Sequence, residues 1–143
     1  MAKILIVYHS QSGNTQMMAD AVAEGARSIE GADATADDLL SADGLALGTP
    51  ENFGYMSGML KDFFDRTYPE VQDKVFRKPF VVFISAGNDG TGALNSIERI
   101  ALGYKLKKVF EPVIARGKIT AEILEKCRKL GGTIAGGCQM RIY

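Results

Sequence analysis

The sequence predicts an α/β protein built on an open parallel sheet with helices on both faces. Four short runs, Lys3–Tyr8, Gly44–Gly48, Phe80–Ser85 and Val109–Ile114, are continuously rather than alternately apolar, as strands covered on both faces require. Segments of helical period lie between them, and regular alternation of the two kinds calls for right-handed crossovers.

Taken in order, the first strand leads through HSQSGNT into a stripe of Met17, Met18, Ala21, Val22, Gly25, Ala26 and Ile29, one face of a helix expected to end near Glu30. The stretch GADATADDLLSAD then leaves only about a dozen residues before the next apolar run, roughly what a parallel crossover takes by itself. A second strand is therefore expected to be very short or absent. Its only strand-like piece is Ala32–Thr35, and Asp37–Ala42 is expected to make at most one helical turn. After the third strand, Met56, Met59, Leu60, Phe63 and Phe64 mark a helix; after the fourth, Leu94, Ile97, Ile100 and Ala101 mark another. A last stripe, Ile123, Leu124, Cys127, Leu130 and Ile134, is opened by Thr120 as a cap. Methionine and phenylalanine at this spacing are core rather than a cofactor box.

With 143 residues, 46% of them hydrophobic, the chain fits one domain, 1–143, with a single core. Lys plus Arg and Asp plus Glu number 17 each, and this balance argues against a nucleic-acid or anionic-membrane surface. The early apolar run is too short for a signal-peptide core or a membrane span, so membrane insertion is not expected and a cytoplasmic protein is. Cys127 and Cys138 have neither a CxxC pattern nor a nearby histidine, which points to two reduced thiols on or near a helix and to no metal site. Lys105, Lys107 and Lys108 read as a solvated face.

The loop after the first strand carries the functional signal. In open α/β sheets ligands sit at the carboxyl ends of the strands, and the helix that follows presents unpartnered N–H groups and a dipole that favours an anion. Ser10, Ser12, Asn14 and Thr15 add side-chain donors around Gly13, which lets the backbone approach closely. That set suits a phosphate monoester. A P-loop Lys-Ser/Thr pair, a phosphatase Cys–Arg loop and a GxGxxG fingerprint are all missing.

The run Ile6–Val22, IVYHSQSGNTQMMADAV, resembles the signature of flavodoxins and flavodoxin-like NAD(P)H-dependent FMN oxidoreductases, with every fixed position filled. GTPENFGYMSGMLKDFFDRT (48–67) resembles the second flavin loop of the reductase branch, and SAGNDGTGALNSIE (85–98) the third. The likeness covers most of the chain and is weakest over 30–43.

The resemblance implies a flavodoxin-like sheet of order 2-1-3-4-5 and FMN as cofactor, since one phosphate loop leaves no adenosine-binding unit for FAD. It assigns the phosphate to Ser10, Gln11, Ser12, Gly13, Asn14 and Thr15. Ribityl and ring contacts fall to Thr49, Pro50, Glu51, Asn52, Phe53, Gly54 and Tyr55, with Phe53 or Tyr55 as the stacking surface. Ala86, Gly87, Asn88, Asp89 and Gly90 would border the reactive edge, although Gly87, Gly90 and Gly92 also suit tight turns. Glu51 stands where the family usually has an uncharged residue, and a carboxylate near the ring would lower the flavin potential. His9 reads as a partly exposed loop side chain.

No side chain need act as nucleophile or acid in such a protein. The resemblance implies an oxidoreductase passing electrons from NAD(P)H through FMN to a quinone or other small acceptor. The alternative is a one-electron carrier between redox protein partners. Carriers are generally acidic, which steers them onto basic partners, and this chain is neutral. A flavodoxin-like scaffold for another phosphorylated ligand is a third reading. The chain has little room for the insertions with which the reductases build a nicotinamide pocket and a tetramer interface, so a homo-oligomer is left open.

Overall fold

The computed structural model describes residues 2–23, 27–31 and 33–143. Its elements run β1 (Ile4–Tyr8), α1 (Asn14–Val22), β2 (Arg27–Glu30), α2 (Ala36–Ser41), β3 (Gly44–Pro50), α3 (Gly58–Val71), β4 (Pro79–Ala86), α4 (Thr91–Tyr104), β5 (Lys107–Lys108), β6 (Val113–Arg116) and α5 (Ala121–Met140). All strand pairs are parallel, in the order β2-β1-β3-β4-β5, with β6 also against β4.

Continuous apolarity in the central strands is explained by their two covered faces. Leu5, Val7, Leu45, Leu47, Val82 and Ile84 pack with Leu39, Leu60, Phe63 and Ile97 from α2, α3 and α4. Their neighbours Ile4, Ile6, Ala46, Val81 and Phe83 point the other way, onto Met18, Val22, Cys127, Leu130 and Ile134 from α1 and α5. Of the expected methionine and phenylalanine stripes, Met18, Met56, Phe63 and Phe64 are core, whereas Met17 and Met59 stand exposed at the margins of their helix faces.

Four expectations about the elements need correction. The first helix stops at Val22, and Ile29 lies in β2; Gly25 and Ala26 fall outside the described residues. The second strand is short, as expected, but it occupies Arg27–Glu30 rather than 32–35, where Ala32 is again outside the described residues. It pairs with Leu5–Tyr8, satisfying backbone groups that continued helix would have left stranded along β1. The segment after it is tied down by Arg66, whose guanidinium donates to Gly31 O at 2.6 Å and Ala34 O at 2.9 Å.

α2 is six residues long and so exceeds the single turn expected. A reciprocal box explains this: Asp38 N–H donates to Thr35 Oγ1 at 3.2 Å, and Thr35 N–H to the Asp38 carboxylate at 2.9 Å. Lys78 Nζ closes the other end on Leu39 O at 2.6 Å. The fifth strand, expected over 109–114, is split. β5 pairs with Pro79–Phe80 and β6 with Phe83–Ala86, and Pro112, which has no N–H to donate, lies in the break. In the lysine cluster, Lys105 pairs with Asp73 and Lys108 with Glu98.

Two titratable groups in the core give checkable consequences. Burial pushes the Tyr104 hydroxyl up to about 12, against a hydrogen bond with Thr67 Oγ1 at 2.8 Å that pulls it down. A raised value means the neutral phenol stabilises the fold fully below about pH 10, the unfolded value, and that this contribution is lost as pH rises through 12. Denaturant midpoints measured across this window should fall in the wild type, and Tyr104→Phe should remove that part of the decline. Burial likewise pushes the Cys127 thiol up to about 12, while the half-buried Cys138 is raised first by burial and then by Asp43. Iodoacetamide applied to native protein at mildly alkaline pH is expected to alkylate Cys138 slowly and Cys127 only after unfolding, read by peptide mass.

Candidate functional site

Three loops leave the carboxyl ends of β1, β3 and β4 side by side, and a fourth, after β6, joins them through Gly117 N–H to Ala86 O at 2.8 Å. They enclose a cleft of about 360 Å³, which is on the scale of a small-molecule site.

The first loop forms one end. Gly13 takes φ +97° at the N-cap of α1, a conformation disfavoured for residues carrying a Cβ. Ser10 Oγ accepts from the N–H groups of Gly13 and Gln16, both at 3.2 Å, and so folds the loop back over the helix start. Thr15 is buried and its hydroxyl meets Ser85 Oγ at 2.7 Å, tying the loop to the end of β4. Among the described residues, the N–H groups of Gln11, Ser12, Asn14 and Thr15 have no acceptor, nor are the side chains of Gln11, Ser12 and Asn14 engaged. Those three side chains line the cleft. The result is a cradle of neutral donors at the positive end of a helix dipole, without a lysine or arginine.

The second loop is held from below. Thr49 is fully buried; its hydroxyl accepts from Ser57 N–H at 2.8 Å and donates to Pro50 O at 2.7 Å. Glu51 N–H donates to Ser85 O at 3.0 Å. Asn52 and Tyr55 exchange two backbone hydrogen bonds of 2.9 Å, closing a tight turn with Phe53 at φ +52° and Gly54 at φ +70°. At the tip the Phe53 side chain stands fully exposed, and Tyr55 is exposed as well. The Glu51 side chain is half-buried and turned onto α4. Its oxygens accept from Gly90 N–H and Ala93 N–H, each at 3.1 Å, at the start of α4.

In the third loop Gly87, Asn88 and Asp89 are exposed, while Ala86 and Gly90 are buried. Arg116 Nε donates to Asp89 O at 2.8 Å, bracing the loop from the β6 side.

Of the positions expected from sequence, Gln11, Ser12, Asn14, Pro50, Glu51, Asn52, Ala86 and Gly87 line the cleft. Ser10, Gly13, Thr15 and Thr49 shape its loops from beneath, Phe53, Gly54 and Tyr55 form the projecting turn, and Asn88, Asp89 and Gly90 run along the third loop and the start of α4. Two lining residues were missed, Ser85 and Gly117. Their signal is positional: Ser85 closes the fourth apolar run, and Gly117 follows the last strand at the same end of the sheet. His9 is half-buried and its N–H donates to Gly48 O at 3.2 Å. Among the described residues there is no group of three or more His, Cys, Asp or Glu able to hold a metal ion, and no helix long and apolar enough to cross a membrane.

Residues 30–118 match the family model described as NADPH-dependent FMN reductase. A curated relative, the flavodoxin of Aquifex aeolicus strain VF5, is 35% identical, covering 94% of this chain and 86% of that protein. The chain belongs to the flavodoxin-like FMN oxidoreductase family. Among solved structures, a flavodoxin, WrbA-like protein from Agrobacterium tumefaciens superimposes with a TM-score of 0.85 at 26% identity, over 98% of this chain and 99% of that one. A flavodoxin from the domain Archaea gives 0.83 at 25% identity, over 96% and 99% of the respective chains.

Like other flavodoxin-like FMN proteins, this one has FMN as its cofactor, and the donor set fits. α3, α5 and α2 are closed at their starts by their own hydroxyls, from Ser57, Thr120 and Thr35, and α4 is closed by Glu51. At α1 the first two N–H groups remain open, in the same loop as the uncharged side chains of Gln11, Ser12 and Asn14 that line the cleft, which suits one phosphate rather than the two of a dinucleotide.

Proposed function

We propose that this chain is an oxidoreductase that takes electrons from NAD(P)H onto FMN and passes them to a quinone or another small acceptor. The Ser10–Thr15 cradle would hold the FMN phosphate, the second and third loops would border the ring, and Phe53 or Tyr55 would supply its aromatic neighbour. Bound FMN supplies the hydride and single-electron chemistry. The chain's own work is to grip the phosphate with neutral donors, to orient the ring, and to leave its edge reachable. No side chain acts as nucleophile or acid. The protein works as a single cytoplasmic domain, alone or as a homo-oligomer.

The observation that carries this reading is the match of 30–118 to NADPH-dependent FMN reductases, which takes in both ring-end loops. The balanced charge, 17 basic against 17 acidic side chains, supports it, since the chain lacks the net acidity that steers a carrier onto a basic partner. One observation favours a second reading: the similarity to the Aquifex aeolicus flavodoxin runs along 94% of the chain, which suits a one-electron carrier. Anaerobic stopped-flow mixing of the FMN-loaded protein with NADH and with NADPH decides between them. An oxidoreductase bleaches within the turnover time with at least one nucleotide and is reoxidised by a quinone. Reduction by neither on that scale overturns the enzyme in favour of the carrier.

A further inference from the structure

The helix α4 begins without any capping side chain of its own, since its N-cap is Gly90 at φ +83°. In a capping box the N3 N–H is taken by an N-cap hydroxyl, and the N-cap N–H by a carboxylate at N3. Here both N–H groups, of Gly90 and Ala93, are taken by Glu51, which lies 39 and 42 positions earlier in the chain. Hydrogen bonds to an ionised acceptor at a helix start are among the stronger ones available.

Two further contacts run along the same seam. A Cβ at Gly92 would lie 2.3 Å from Gly54 O, so the turn of the second loop rests directly on the backbone of α4. Met56 N–H donates to Ser96 Oγ at 3.1 Å, one turn further along that helix. The phosphate cradle is fixed separately, by Ser10 and by the Thr15–Ser85 contact. The cleft therefore has two ends that are set by different residues.

We infer that Glu51 is a positioning residue for the ring end of the cleft: by clamping the second loop to the start of α4 it sets the spacing between the second and third loops. This rests on the reading that FMN occupies the cleft. The carboxylate acts through the Gly90 and Ala93 N–H groups, and its charge is offset by the helix start it caps, so its principal effect is on fit. The sequence-based expectation concerned the flavin potential; these contacts add an expectation about affinity.

Apoprotein is titrated in parallel with FMN and with riboflavin, following flavin fluorescence, in wild type, Glu51→Gln, Glu51→Ala, Gly92→Ala and Thr120→Ala. Glu51→Ala is expected to weaken both flavins by the same factor, about tenfold, as for losing a charge-assisted hydrogen-bonded pair. Glu51→Gln, which still offers one acceptor oxygen, should weaken both by less, and the visible band of bound flavin should move toward that of flavin in water in step with the loss. Gly92→Ala pushes Gly54 away with the carboxylate intact, and is expected to reproduce the pattern. Thr120→Ala removes the cap of α5, away from this seam; it lowers Tm and leaves both affinities within about twofold.

Unchanged affinities in Glu51→Ala alongside a lower Tm would reduce Glu51 to a helix cap and overturn the inference. So would a loss confined to FMN, which would put its action at the phosphate end. If Glu51→Ala does not fold, Glu51→Gln and Gly92→Ala carry the same comparison. Failure of the wild type to bind either flavin would instead remove the reading of the cleft, and the inference with it.

Discussion

Ser12→Asp is expected to cut FMN affinity by about a hundredfold or more while leaving riboflavin affinity within about twofold. Ser12 lines the cleft in a cradle that neutralises phosphate with dipoles alone, so no lysine or arginine is present to absorb an added carboxylate. Two unit charges 4 Å apart repel by about 4 kcal/mol at the effective dielectric near a protein surface, and the exposed position discounts that to roughly 3 kcal/mol, a hundredfold. The same carboxylate sits near the start of α1, where a negative charge stabilises a helix by about 0.3–1 kcal/mol. The apoprotein should therefore melt no lower, and slightly higher, than wild type. A variant that loses FMN because it has simply misfolded would show the opposite, so fluorescence titration and apoprotein melting together decide the matter.

Gly131→Ala and Gly132→Ala are expected to move stability in opposite directions although they are neighbours in α5. Either exchange gains about 0.5–1 kcal/mol of helix preference. At Gly132 the added methyl meets open space, and the gain should appear undiminished. At Gly131 it would lie 2.2 Å from Val22 O, the backbone at the end of α1, which has no flexible tip to swing aside. Overpacking of this kind costs about 1–3 kcal/mol and more where backbone must shift, so a net loss of about 2 kcal/mol is expected. Urea midpoints at unchanged slope measure both. Because α1 starts at the phosphate cradle and ends at this contact, Gly131→Ala should also weaken FMN.

Much of this was legible in the chain. The central strands were visible because burial on both faces demands unbroken apolarity, and α3, α4 and α5 because their stripes repeat cleanly. Thr120 was readable as a cap, and its hydroxyl accepts from Ile123 N–H at 3.2 Å. The T-x-x-D pattern at Thr35–Asp38 was equally local, and would have revealed α2 had the shortage of residues not weighed against it. β2 was hidden for a different reason. Ile29 completes a helical stripe from Met17 so well that only the non-local need of β1 for a neighbour decides against helix.

The site shows the same division. Hydroxyls around Gly13 on a strand-to-helix loop announce an anion cradle locally, and Gln11, Ser12 and Asn14 of that loop do line the cleft. Glu51 looked anomalous in sequence, but its partners are main-chain N–H groups, which no residue letter encodes, so the reason for it emerged only with the fold.

The split in the last strand has a consequence beyond topology. A foreign β-ribbon can zip onto a rim only where a long row of unpaired amides and carbonyls lies bare. Here one rim is the four-residue β2, and the other is broken into lengths of two and four with Pro112 in the gap. Among the described residues, neither margin gives fibre growth a long ledge to start from, with or without the flavin aboard.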